Sequence, residues 1–215
     1  GYLGQAGHHV VVAHAMRYGE PSIPATLSRL KMAGCARILL LPLYPQYSAT
    51  TTATACATAF TWLQKTRNQP ELRVVRSFAD DPAYIAALAA SVREHWMRHG
   101  QHDTSTRLLM SFHGMPRAMA EKGDPYPDEC RSTAQLLAKA LNLSENDYLL
   151  CFQSRFGRGE WLRTYTETSL SALGKEGIRR IDLICPGFPA DCLETLEEIS
   201  LAGKTIFLQA GGQEF

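Results

Sequence analysis

The chain has 215 residues, 45% hydrophobic and 20% charged, enough length for one large globular domain or two small ones. Its formal net charge of +1, with no basic stripe, excludes a nucleic-acid binder. No apolar run approaches the ~18 to 20 residues of a membrane span, no secretory leader pattern opens the chain, and six scattered cysteines without CxxC spacing read as reduced thiols, so a cytoplasmic protein is expected.

Short apolar runs predict seven strands: Val10 to Ala13, Ile38 to Leu41, Arg73 to Val75, Leu108 to Met110, Tyr148 to Cys151, Ile181 to Ile184 and Ile206 to Leu208. Helical patterns fall between them, over 22–33, 48–65, 82–99, 128–141, 160–175 and 191–202. Gly34, Gly100, Gly177 and Gly203 stand where C-terminal capping glycines belong. Alternating strand and helix implies an α/β layered fold with parallel sheets. The polar loop 100–106 after the long helix marks the boundary, giving domains at 1–81 and 82–215, with three and four strands, and a cleft between them as the expected ligand site.

Two segments stand where an apolar run yields to a Gly/Pro turn, the position at which open α/β sheets collect ligand chemistry. The first, Ser111-Phe112-His113-Gly114-Met115-Pro116, offers an imidazole, the side chain that changes charge near neutral pH and also binds transition metals. Gly114 would let the backbone come close to a ligand. A strand-end histidine bonded to a neighbouring carbonyl is the competing structural explanation.

The second, 186–198, offers Asp191, Glu194, Glu197 and Glu198. Asp191 and Glu194 have the spacing of a helix capping box. On an α-helix Glu194 shares a face with both Glu197 and Glu198, and a nearby cation would relieve their repulsion. Imidazole and carboxylate together suit a divalent transition metal.

Three more segments suit a large flat anion. Leu41 to Thr52 runs through Tyr44 and Tyr47 into a helix opening with Ser48 and threonine hydroxyls, donors for an acid group. Arg17 and Tyr18 follow the first strand. Gln153 to Gly157, with Trp161 beyond, repeats the strand-end arginine. His8, His9 and His14 are read as structural or exposed, since adjacent residues of a strand face opposite ways.

These segments, with Met16-Arg17-Tyr18-Gly19, Leu43 to Ser48, Gly123-Asp124-Pro125-Tyr126-Pro127 and Phe152 to Gly157, resemble ferrochelatases over essentially the whole chain. The resemblance implies two Rossmann-like, three-layer chelatase domains around an inter-domain cleft. It implies insertion of ferrous iron into protoporphyrin IX, with iron as substrate and no iron–sulfur cluster. It places His113 and Glu194 as the metal-binding and proton-transfer pair, Asp191 and Glu198 as supporting acids, and Arg17, Tyr18, Tyr44, Ser48 and Trp161 around the porphyrin.

Nothing here matches the family's first strand, its membrane-facing lip or its C-terminal segment, so a fragment with an incomplete first domain is expected. Peripheral membrane contact and oligomeric state stay open. Cys192 stands where some members carry a second histidine. A truncated, non-catalytic porphyrin- or metal-binding module and a chelatase for another metal or tetrapyrrole are the alternatives.

Overall fold

A computed structural model describes residues 7, 10–157 and 159–215. The chain is an α/β protein whose residues group into two units, 1–42 with 49–76, and 43–48 with 77–215.

In the smaller unit, β1 (Arg37–Leu40) and β2 (Glu71–Val74) pair in parallel. Helices α1 (Ile23–Met32) and α2 (Thr52–Gln64) cover one face. Ile23 and Leu27 of α1 and Ala55 and Ala59 of α2 pack with Ile38, Leu40 and Leu72. Leu39, on the opposite face by the period-two rule, is 64% exposed.

The expected strand at 10–13 does not form among the described residues. A strand exists only through a ladder partner. Val10 to Val12 have none there, and their side chains are exposed.

The larger unit is built on β3 (Thr106–His113), flanked in parallel by β4 (Tyr148–Gln153) and β5 (Arg180–Ile184) in the order β4-β3-β5. β3 is buried on both faces, as a central parallel strand should be. Leu108, Met110 and Phe112 face a core filled by α3 (Pro82–His99) and α5 (Tyr126–Leu141), through Ala89, Val92, Trp96, Cys130, Ala134 and Leu137. Leu109 faces the other way, toward Leu170 of α6 (Thr166–Lys175), Ile181 and Phe207. Alternation along one strand thus makes this unit three layers deep.

Local chemistry sets most helix ends. The Asp81 carboxylate accepts from the backbone N–H of Ala83 and Tyr84 at 2.9 and 3.1 Å, Pro82 opens α3, and Gly100 closes it at φ +109°. Gly203 does not act as a cap. A π-helix (Glu194–Gly203) passes through it directly into α7 (Lys204–Gln209).

Residues 206–208, expected as strand, therefore lie in a helix. Three apolar residues are too few to separate period two from period 3.6. With two expected strands absent, the described residues hold two strands in the first unit and three in the second.

Besides the π-helix, which opens at Glu194 rather than 191, two helices start later than expected. Residues 160–165 spend their backbone groups on strand-like bonds, Leu162 N–H to Met115 C=O at 2.9 Å and Phe152 N–H to Thr164 C=O at 2.8 Å, so α6 begins only at Thr166. Segment 43–48 packs in the larger unit, where Phe78 N–H donates to Pro45 C=O at 3.0 Å, and α2 begins at Thr52. A further short helix, α4 (Arg117–Glu121), was not expected from the sequence.

Candidate active site

His113 is the last residue of β3, half-buried, at the C-terminal end of the parallel sheet. Its Nδ1 lies 2.7 Å from the Gly114 carbonyl oxygen. A carbonyl can only accept, so Nδ1 carries a proton, and Nε2 is the nitrogen open to a metal or to proton exchange. The carbonyl of His113 accepts from the Tyr126 hydroxyl at 3.0 Å, and the Phe188 ring lies 6.3 Å from the imidazole. The tie to a neighbouring carbonyl is the structural role weighed above, and it leaves the other nitrogen available.

The next residue must be glycine for a reason other than the expected one. A Cβ on Gly114 would lie 2.7 Å from the Gln153 carbonyl oxygen and 3.0 Å from the Trp161 ring. The close approach at this turn is made by protein groups.

Glu194 opens the π-helix, whose i to i+5 bonding is rare and recurs at functional sites. Thr195, Ile199 and Gly203 are its buried residues, spaced by four. The same spacing keeps Glu198 on the side of Glu194 and turns Glu197 away, so the three-carboxylate face expected from an α-helix is reduced to two. The capping box is absent as well: Asp191 accepts from the Thr195 hydroxyl at 3.1 Å, and that hydroxyl in turn accepts from Cys192 N–H at 3.0 Å. Glu198 accepts from the Ser154 hydroxyl at 2.6 Å.

The Cys192 thiol, the residue's own backbone N–H and, more weakly, the charge of His113 hold the Glu194 carboxyl below its ordinary 4.5. Strand end and helix start thus interact electrostatically, although 81 positions separate them in sequence. A depressed native pKa stabilises the fold above the unfolded value, and that contribution is lost as pH falls from about 4.5 through the lower native one. Denaturant titrations at pH 7 and pH 3.5 are expected to show a larger acid loss for the parent chain than for Glu194→Gln. Equal losses would contradict this environment.

The remaining residues divide between the two units. Ser48, buried, donates to Asp124 at 3.0 Å and so does not cap α2; at that helix start the buried Thr51 and Thr52 hydroxyl oxygens have no hydrogen-bond partner. Tyr44 lies near it in sequence, partly exposed. Trp161 is buried against Gly114 and meets the exposed Phe156 edge-on at 5.0 Å. Tyr44, Ser48 and Trp161 belong to the larger unit with His113 and Glu194, and Thr51 and Thr52 to the smaller one.

Arg17 and Tyr18 belong to the smaller one, where the guanidinium sits 4.5 Å over the Tyr18 ring and that ring is 73% exposed. Arg155, the second strand-end arginine, stacks on Tyr165 in the same manner. His14 is exposed, while His8 and His9 lie outside the described residues. All six cysteines are free thiols.

Sequence reasoning missed Gln153, whose backbone pairs with His113 and whose side chain reaches Glu194. Its signal was present: an amide closing an otherwise apolar strand. Among the described residues no group of three or more His, Cys, Asp or Glu side chains is placed to hold a metal ion. No helix there is long and apolar enough to cross a membrane.

An imidazole at the C-terminal end of a parallel sheet, in electrostatic range of a carboxylate at a helix start, occupies the place where α/β proteins collect ligand chemistry. The family model described as Ferrochelatase matches residues 1–215, and the chain belongs to that family. It is 56% identical to the ferrochelatase of Dechloromonas aromatica (strain RCB), with all of this chain and 59% of that protein aligned. It is 58% identical to that of Azoarcus sp. (strain BH72), over 96% of this chain and 56% of the relative. With the ferrochelatase of Chromobacterium violaceum it shares 55% identity, over 100% and 58%. The chain thus spans somewhat more than half the length of these relatives.

Proposed function

We propose that the protein carrying this sequence inserts ferrous iron into protoporphyrin IX to form protohaem, with His113 and Glu194 as the reacting pair. The observation that carries the reading is the His113 imidazole, tied through Nδ1 to the Gly114 carbonyl so that Nε2 is the available nitrogen, on a strand end whose paired residue Gln153 also bonds the backbone of Glu194.

Metalation replaces two pyrrole N–H protons by one Fe(II), so two protons must leave as the ion sheds water. An ionised Glu194 relays a pyrrole proton to water at neutral pH, and His113 Nε2 offers either a proton acceptor or a nitrogen ligand. The nitrogen and oxygen donors suit a divalent iron on its way to the ring. Arg17, Tyr18, Tyr44, Ser48 and Trp161 are the porphyrin-contacting residues in this reading, with Asp191 and Glu198 as supporting acids. The exposed rings of Tyr18 and Tyr44 favour that role.

The test is anaerobic incubation of the full-length protein with Fe(II) and protoporphyrin IX, followed by porphyrin absorption. Steady replacement of porphyrin by haem bands is expected, and their absence would overturn the reading. The same assay on this 215-residue chain alone addresses the second reading. Porphyrin binding without turnover there would identify a binding module.

A further inference from the structure

Gln153 closes β4 with its side chain only 5% exposed, and both ends of the amide are engaged. Oε1 accepts from the Ser111 hydroxyl at 2.6 Å and from the Cys185 thiol at 3.6 Å, while Ser111 also bonds Thr166 at 2.8 Å. Nε2 donates to the main-chain carbonyl of Glu194 at 2.8 Å. Because that carbonyl can only accept, the amide has one usable orientation. The backbone of the same residue pairs with His113, and its carbonyl takes the Gly114 N–H at 2.7 Å.

Ser154 extends the arrangement. It sits in the left-handed region at φ +62°, which a side chain adopts at a cost, and its hydroxyl is tied to Glu198 at 2.6 Å. The last residue of β4 and the one after it therefore grip the π-helix at Glu194 and at Glu198. The first of them also grips the turn behind His113.

We propose that Gln153 is a positioning residue for iron insertion: without touching iron or porphyrin, it fixes the separation of the His113 imidazole and the Glu194 carboxylate by holding the strand end and the helix start together. The inference rests on the ferrochelatase reading above. Ser111 acts through Gln153, setting the amide so that its N–H faces Glu194. Misplacing a reacting group by an ångström can cost up to about a hundredfold in rate, so a tether remote from the ring matters to turnover while leaving porphyrin contacts alone.

The decisive variant is Gln153→Met in the full-length protein, which keeps length and bulk and removes both polar ends. Turnover is expected to fall about tenfold or more, with the KM for porphyrin within about twofold of the parent. Ser111→Ala, which leaves the Gln153–Glu194 bond without its orienting partner, is expected to lower turnover about threefold in the same pattern. It decides the matter if Gln153→Met does not fold. Unchanged turnover, or a fall in which the porphyrin KM rises in proportion, would overturn the positioning role. An active parent with unaffected variants defeats this inference alone, whereas a parent with no turnover defeats the iron-insertion reading and this one with it.

Discussion

Replacing His113 with alanine in the full-length protein is expected to slow iron insertion by about 10²- to 10⁴-fold, the range for a positioned acid–base group, while porphyrin affinity stays within a few-fold. The argument runs through one bond. With Nδ1 committed to the Gly114 carbonyl, Nε2 alone is available, and alanine supplies nothing in its place. The side chain is half-buried rather than part of the sealed core, so its removal leaves the fold intact. Glu194→Gln is expected to match it, since an amide keeps the shape and abolishes the charge. Single-turnover absorption with Fe(II), together with porphyrin fluorescence titration, separates chemistry from binding. Near-normal turnover in both variants would remove these residues from the reaction.

The largest effect on stability is expected at Phe207. Its ring is fully buried against Leu109, Cys151, Leu170 and Ile181, with Phe215 at 6.2 Å. A Cβ on Gly212 would strike the ring at 2.3 Å, so the backbone too is packed against it. Phe207→Ala removes the centre of the second core layer, and about 3–5 kcal/mol of destabilisation follows from lost burial and the remaining cavity. Urea titration of the parent and the variant measures it. A loss below about 1 kcal/mol would mean the layer collapses onto the gap.

The central architecture was legible because its signals were local and redundant. β3 contains the expected run Leu108 to Met110 and extends on both sides of it to Thr106 and His113, while α3 covers 82–99 as expected, with Gly100 at its stop. Phe207 shows the limit. Ile206 to Leu208 is as apolar as a strand, and only its continuation from the preceding π-helix makes it helical.

The π-helix itself could not be read. Over ten residues a repeat of four and one of 3.6 differ by about one position, yet that difference decides whether Glu197 joins Glu194. Val10 to Val12 have the composition of a strand, but pairing depends on what lies beside them. His113 and Glu194 were visible as chemistry at turns. Gln153 stayed hidden because an amide gains meaning only from what it touches, here groups 41 and 42 residues away.

The assignment of 43–48 to the larger unit constrains synthesis. The polypeptide passes from one unit to the other three times, after 42, 48 and 76. Buried Gln46 donates to Thr133 at 3.0 Å, and Tyr47 N–H to Glu129 at 2.7 Å, partners translated more than eighty codons later. A nascent chain leaving the ribosome must keep this hexapeptide unclaimed until α5 emerges. A clone starting at Ser77 would omit a buried strut of the very layer it was meant to isolate.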